Sequence, residues 1–93
     1  MQFMASIAFD PSHRDDILRE MPAEQARVRE LQQQGLLETL YVPDGNTGPT
    51  GVWVVFNADS RDLVEHVIES LPLYPYMQVE LTPLLDLRQQ ARG

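Results

Sequence analysis

The chain has 93 residues, 43% of them hydrophobic, which sets one domain with one modest core and excludes a disordered tail. It has no cysteine and no lysine, which excludes disulfides, thiolate catalysis, cysteine-based metal sites, Schiff-base chemistry and a P-loop lysine. Fourteen acids against seven arginines give a net charge of −7, a surface that repels nucleic-acid backbones and anionic membranes.

Gln2–Phe9 alternates, with Phe3, Ala5, Ile7 and Phe9 on one face, and predicts a first strand. Asp10-Pro11-Ser12 breaks it, and Ser12 followed by Asp15 reads as a helix start. From His13 to Gln34 the apolar residues Ile17, Leu18, Met21, Val28 and Leu31 fall at helical spacing, and Gly35 stops the helix. Pro22 removes one ladder donor inside this stretch, so the expectation is one kinked helix rather than two.

Leu36–Val42 predicts a second strand, with Leu37, Thr39 and Tyr41 sharing a face. Residues 43–51 are dense in Pro, Gly, Asp and Asn and predict a loop. Val52–Phe56 is apolar enough for a central third strand. Asp59 or Ser60 caps a second helix with the stripe Leu63, Val64, Val67, Ile68 and Leu71, ended by Pro72. Tyr76–Thr82 alternates as a fourth strand, and residues 84–93 form a polar tail. The opening hexapeptide lacks a charged start and an apolar run, and no stretch reaches the roughly 18 apolar residues of a membrane span. The expected location is the cytoplasm.

The order β-α-β-β-α-β predicts an α+β, ferredoxin-like domain spanning 1–93, with a four-stranded antiparallel sheet. Two helices cover one face of such a sheet. The other face would carry Met4, Ser6, Thr39, Tyr41, Trp53, Val55, Tyr76, Gln78 and Glu80, an aromatic patch that a second copy would cover sheet to sheet. The expectation is a dimeric α+β barrel, in a homodimer or higher even-numbered oligomer, with a site in the space between sheet and partner.

Among titratable groups Glu24 stands out, because Ile17, Glu24 and Leu31 are spaced by seven and share one helical stripe. A carboxylate on a core-facing stripe is desolvated and becomes a base near neutrality. The plainer reading is a glutamate capping a chain that restarts at Pro22. His13 and His66 have no metal-ligand spacing; His66 reads as solvated, and His13 as an anion contact or an exposed turn residue. Ser6 and Ser60 lie in no nucleophile motif, and Gly45, Gly48 and Gly51 form no dinucleotide fingerprint. Tyr41, Trp53 and Tyr76 read as interface residues or as pocket lining.

The segment Leu71-Pro72-Leu73-Tyr74-Pro75-Tyr76-Met77, continuing as an alternating strand to Leu84, resembles the C-terminal signature of the muconolactone delta-isomerase family. The first strand, the long helix ending in Leu31-Gln32-Gln33-Gln34-Gly35 and the short second helix agree in outline. The resemblance implies a ferredoxin-like fold in a homo-oligomer and no cofactor. It also implies a proton shift within a small unsaturated lactone, in the breakdown of aromatic compounds, and a helix glutamate at Glu24. After the helix-ending glycine the family has a strand rich in Arg, His and Trp. Here that strand is Leu36-Leu37-Glu38-Thr39-Leu40-Tyr41-Val42, which points to a less charged substrate. The expected roles are Glu24 as base, Tyr41 or Tyr76 as donor to an oxyanion, Trp53 as pocket wall, and His13 and Arg27 as substrate contacts. The alternative is a non-catalytic module of the same fold that binds a small molecule or serves in assembly.

Overall fold

The structure, a computed structural model, describes residues 1–42 and 51–85. Of the expected loop over 43–51 and tail over 84–93, residues 43–50 and 86–93 lie outside the described residues, while Gly51 and Leu84 belong to strands instead. The elements are β1 (Gln2–Phe9), α1 (Arg14–Gln33), β2 (Leu37–Tyr41), β3 (Gly51–Asn57), α2 (Arg61–Glu69) and β4 (Met77–Leu84). Short 3-10 turns at Pro11–His13 and Tyr74–Tyr76 precede α1 and β4. The strands form one antiparallel sheet in the order β2-β3-β1-β4, the ferredoxin-like arrangement expected.

The alternation of β1 decides the two faces. Phe3, Ala5 and Ile7 are buried and pair across the sheet with Phe56, Val54 and Val52. Leu31 of α1 and Val64, Val67 and Ile68 of α2 complete the core on that side. The other face carries Met4 opposite Val55, Ser6 between Trp53 and Glu80, and Tyr41 opposite Trp53. Trp53 is 43% exposed and Tyr41 56%.

Helix α1 runs through Pro22 as a single element, as expected. Its start differs. Asp10, not Ser12, makes a side-chain cap, and it caps the 3-10 turn that leads into α1: its Oδ1 accepts from the Ser12 amide at 3.0 Å and from the Ser12 hydroxyl at 2.7 Å, while α1 itself follows His13 with no side-chain cap. The helix ends at Gly35, whose φ of +78° is the left-handed conformation glycine takes freely. For α2, Ser60 rather than Asp59 is the cap, accepting from the Leu63 amide at 3.2 Å.

Two strand expectations need correction. A register shift between Leu37 and Thr39 puts Leu37 opposite Phe56 in the core and Thr39 opposite Val55 on the other face. The bulge adds one residue, so residues two apart no longer share a face. Tyr76 lies in the 3-10 turn rather than in β4, which begins at Met77 and continues through Pro83 to Leu84. A proline is tolerated there because β4 is an edge strand.

Candidate active site

Helix α1 buries three residues, Ile17, Glu24 and Leu31, at the spacing of seven read from the sequence. Two are apolar and the third is a carboxylate, the one buried charged side chain among the described residues. Glu24 is 8% exposed, and its Oε1 accepts a hydrogen bond from the Leu73 amide at 3.1 Å. The acceptor answers a local need. Pro72 has no N–H, and the chain leaving α2 buries the next amide, that of Leu73, away from water. The second oxygen, Oε2, has no hydrogen-bond partner among the described residues, and no buried polar side-chain atom there is left unpaired. Oε2 therefore keeps some access to its surroundings, and Glu24 lines the cavity beside it. Burial pushes the Glu24 carboxyl above its ordinary value, and the Leu73 amide acts against this by stabilising the anion.

That cavity has a volume of about 400 Å³ and lies between α1 and the helix-covered face of the sheet. The expected site between the bare face and a partner is thus not where Glu24 points. The reason is local packing. The α1 side chains over this part of the sheet, Met21, Gln25 and Val28, are only partly buried or exposed, so helix and sheet do not close on each other. Gly51 contributes no side chain to the floor. The walls from the four strands and the Leu71–Leu73 turn are apolar; the polar lining is Glu24, Gln25 and Arg29, all on α1. Arg29 makes no ion pair among the described residues, and it is the one cation on the lining. Among the described residues no cluster of His, Asp or Glu could hold a metal ion.

The other residues expected at a site are placed elsewhere in the protomer. Tyr41 and Trp53 face each other on the bare side of the sheet. Tyr76 packs on the His13 ring, centroids 5.2 Å apart, at the N-terminal end of α1. His13 lies between Asp16, 3.3 Å away, and Asp10, 3.8 Å away. Arg27 reaches across to α2, donating to the Ser70 hydroxyl from Nε at 3.2 Å and from Nη2 at 3.0 Å. The sequence reading missed Gln25, Arg29 and the Leu73 amide. The signal for the first two was present: Met21, Gln25, Val28 and Arg29 follow the i, i+4 and i+3 steps of one helical edge beside Glu24.

The family model described as muconolactone delta-isomerase matches residues 1–89. The muconolactone delta-isomerase of Cupriavidus pinatubonensis is 33% identical over 61 residues, covering 66% of this chain and 63% of the relative. That of Rhodococcus opacus is 31% identical over 75 residues, covering 81% of this chain and 74% of the relative. Among solved structures, the 5-chloro-2-hydroxyhydroquinone dehydrochlorinase of Burkholderia phenoliruptrix, in complex with 2,5-dihydroxybenzoquinone, superposes with a TM-score of 0.77 at 16% identity, covering 96% of this chain and 98% of its own. A crystal structure of muconolactone isomerase superposes with a TM-score of 0.70 at 23% identity, covering 92% and 90%. At those identities the superpositions establish the shared fold. The family match over nearly the whole length establishes the kinship: the chain belongs to the muconolactone delta-isomerase family.

Proposed function

We propose that the chain is a cofactor-independent isomerase that moves a proton within a small unsaturated lactone or a related cyclic molecule, with Glu24 as the base. One observation carries this reading. A buried carboxylate, with one oxygen tied to the backbone and no partner on the other among the described residues, lines an apolar cavity of about 400 Å³. A general base works best with its pKa brought up toward the operating pH, and desolvation moves Glu24 in that direction. Glu24 takes a proton from the saturated carbon next to the double bond, at one end of the carbonyl–alkene system. The electron pair delocalises as a dienolate, and the Glu24 acid returns the proton at the far end of the conjugated system. Atoms and charge balance with no second reagent. Arg29 and Gln25, on the same edge of the cavity, are the side-chain donors for the oxyanion. The two relatives from Cupriavidus pinatubonensis and Rhodococcus opacus are muconolactone isomerases, and the solved dehydrochlorinase holds a small unsaturated ring; both are compounds of the size this cavity admits.

The reading extends to setting and assembly. The protein acts in the cytoplasm on products of aromatic breakdown, as a homo-oligomer built on a dimer. The exposed Tyr41 and Trp53 on the bare sheet face support a second copy packed there.

The test is a proton NMR time course with muconolactone in heavy water, run beside Glu24→Gln. Double-bond migration or deuterium uptake that the variant loses supports the reading. Exchange at the buffer rate in both removes muconolactone as the substrate. It then favours the non-catalytic binding module, which the apolar wall at Leu40 of β2 and the following Val42 would suit.

A further inference from the structure

Glu24 is not held by one contact alone. Three residues further along α1, on the same side, Arg27 makes two hydrogen bonds to the Ser70 hydroxyl. Three residues beyond Ser70, the Leu73 amide donates to Glu24. The helix and the turn after α2 are therefore joined by two rungs at matching intervals, one from a guanidinium and one from a carboxylate. Ser70 is well fixed to receive its rung. It is the C-terminal cap of α2, its amide bonded to the carbonyls of His66 and Val67, and its hydroxyl donates to the Val67 carbonyl at 2.5 Å. Arg27 is steadied in turn by Glu30, 3.3 Å away, and it does not line the cavity.

We infer that Arg27 and Ser70 are positioning residues: their rung fixes the turn after α2 against α1, keeps the Leu73 amide on Glu24 Oε1, and so holds the Glu24 carboxyl at the cavity wall. Without it, the turn is attached at this point by the Glu24 bond alone. Arg27 lies outside the cavity lining, with Nε and Nη2 on Ser70 and Nη1 on Glu30. The charged groups around Glu24 are few. Glu20 lies one turn before it, Arg27 about one turn after it, and Arg29 on the cavity edge, while the sheet and the turn present apolar side chains. A change in Glu24 after loss of the rung therefore reports mainly on its amide partner and its burial.

The inference rests on Glu24 being the base, but its test needs no substrate, so its failure and the failure of that activity are told apart. The experiment is a carbon NMR titration of the Glu24 carboxyl in the full chain, with amide hydrogen exchange measured alongside. The proteins are wild type, Arg27→Met, Arg27→Lys and Ser70→Ala; the Glu24 signal is assigned by its loss in Glu24→Gln. The expected result is a Glu24 midpoint that climbs further in Arg27→Met and Ser70→Ala, because burial persists while the anion loses its donor. The Leu73 amide exchanges about tenfold faster, as loss of one hydrogen bond implies, while the Val54 and Phe56 amides in the core keep their protection. Arg27→Lys, which retains a donor, recovers part of both effects. Two results overturn the inference. One is an unchanged midpoint with unchanged Leu73 exchange. The other is a midpoint that falls while the core amides speed up equally, the mark of general loosening that wets the carboxylate. If Arg27→Met does not fold, Ser70→Ala decides the question alone.

Discussion

On the proposed reading of Glu24 as the base, this one side chain couples the chemistry of the molecule to its stability. Burial raises its carboxyl above the ordinary value of 4.5, and the Leu73 amide offsets only part of that. A group whose folded-state pKa is raised binds its proton more tightly when folded. Its contribution to stability is complete below the ordinary value and is lost as pH rises through the raised midpoint. The base, however, must be ionised to act. Stability and activity are thus expected to move oppositely over one pH window, which opens near 4.5 and closes above the raised midpoint. Urea melts of wild type and Glu24→Gln across that window check the first half. The wild type should lose stability relative to the variant with rising pH, because Gln keeps an oxygen for the Leu73 amide and carries no charge to bury. Deuterium uptake by the wild type, rising with pH over the same range, checks the second. At neutral pH Glu24→Gln should lower the exchange rate by about 10²- to 10⁴-fold, the usual share of a general base. A variant that loses stability and activity together would instead mark Glu24 as a structural cap.

At the scale of elements, the fold was legible where hydrophobic period and punctuation agreed. Phe3, Ala5 and Ile7 gave the face of β1, Val64, Val67 and Ile68 gave that of α2, and Gly35 gave the end of α1. Glu24 itself was visible as the polar member of a buried stripe. What escaped was anything that period does not encode. A one-residue bulge at β2 leaves the composition unchanged and moves Leu37 to the opposite face from Thr39. The 3-10 turn at Tyr74–Tyr76 is as aromatic as a strand, so Tyr76 read as sheet. The cavity was missed because it depends on how far α1 stands from the sheet, a tertiary distance. Gly51 marks one edge of that cavity and also sits opposite Ala8 in the β1–β3 ladder. A Cβ added there would lie 2.7 Å from the Ile7 carbonyl oxygen of β1, and that contact is with backbone. Gly51→Ala should therefore cost about 1–3 kcal/mol in a urea melt, through displaced backbone. Phe56→Ala, by contrast, removes a side chain that is 1% exposed at the centre of the sheet and should cost about 3–5 kcal/mol. A Gly51→Ala cost near zero would mean that the edge of β3 yields freely, and that the cavity has no fixed floor at that end.

For the whole molecule, the question is how a sheet with helices on one side hides its other side. Tyr41 and Trp53 lie opposite each other there, beside Val55 and Met4, with polar Ser6, Gln78 and Glu80 toward the β4 edge. Large aromatics flanked by polar residues are the composition of an association surface rather than of solvated sheet. The net charge of −7 opposes contact between copies. An interface that forms despite it must draw on apolar area, and Trp53 and Tyr41 are the large exposed aromatics on this face. Trp53→Glu removes the area and adds a charge, and a symmetric interface carries that change twice, once from each copy. The expected outcome in sedimentation is an even-numbered oligomer for the wild type and a shift to monomer in the variant, with affinity weakened by about 100-fold or more. The Glu24 cavity opens on the opposite face and contains no residue of the bare one. Its titration should survive in the monomer if the protomer builds the site alone. A monomer that keeps the raised Glu24 midpoint but loses deuterium exchange would show that a residue of the second copy completes the site. A wild type that sediments as a monomer would leave the aromatic face without the partner proposed for it.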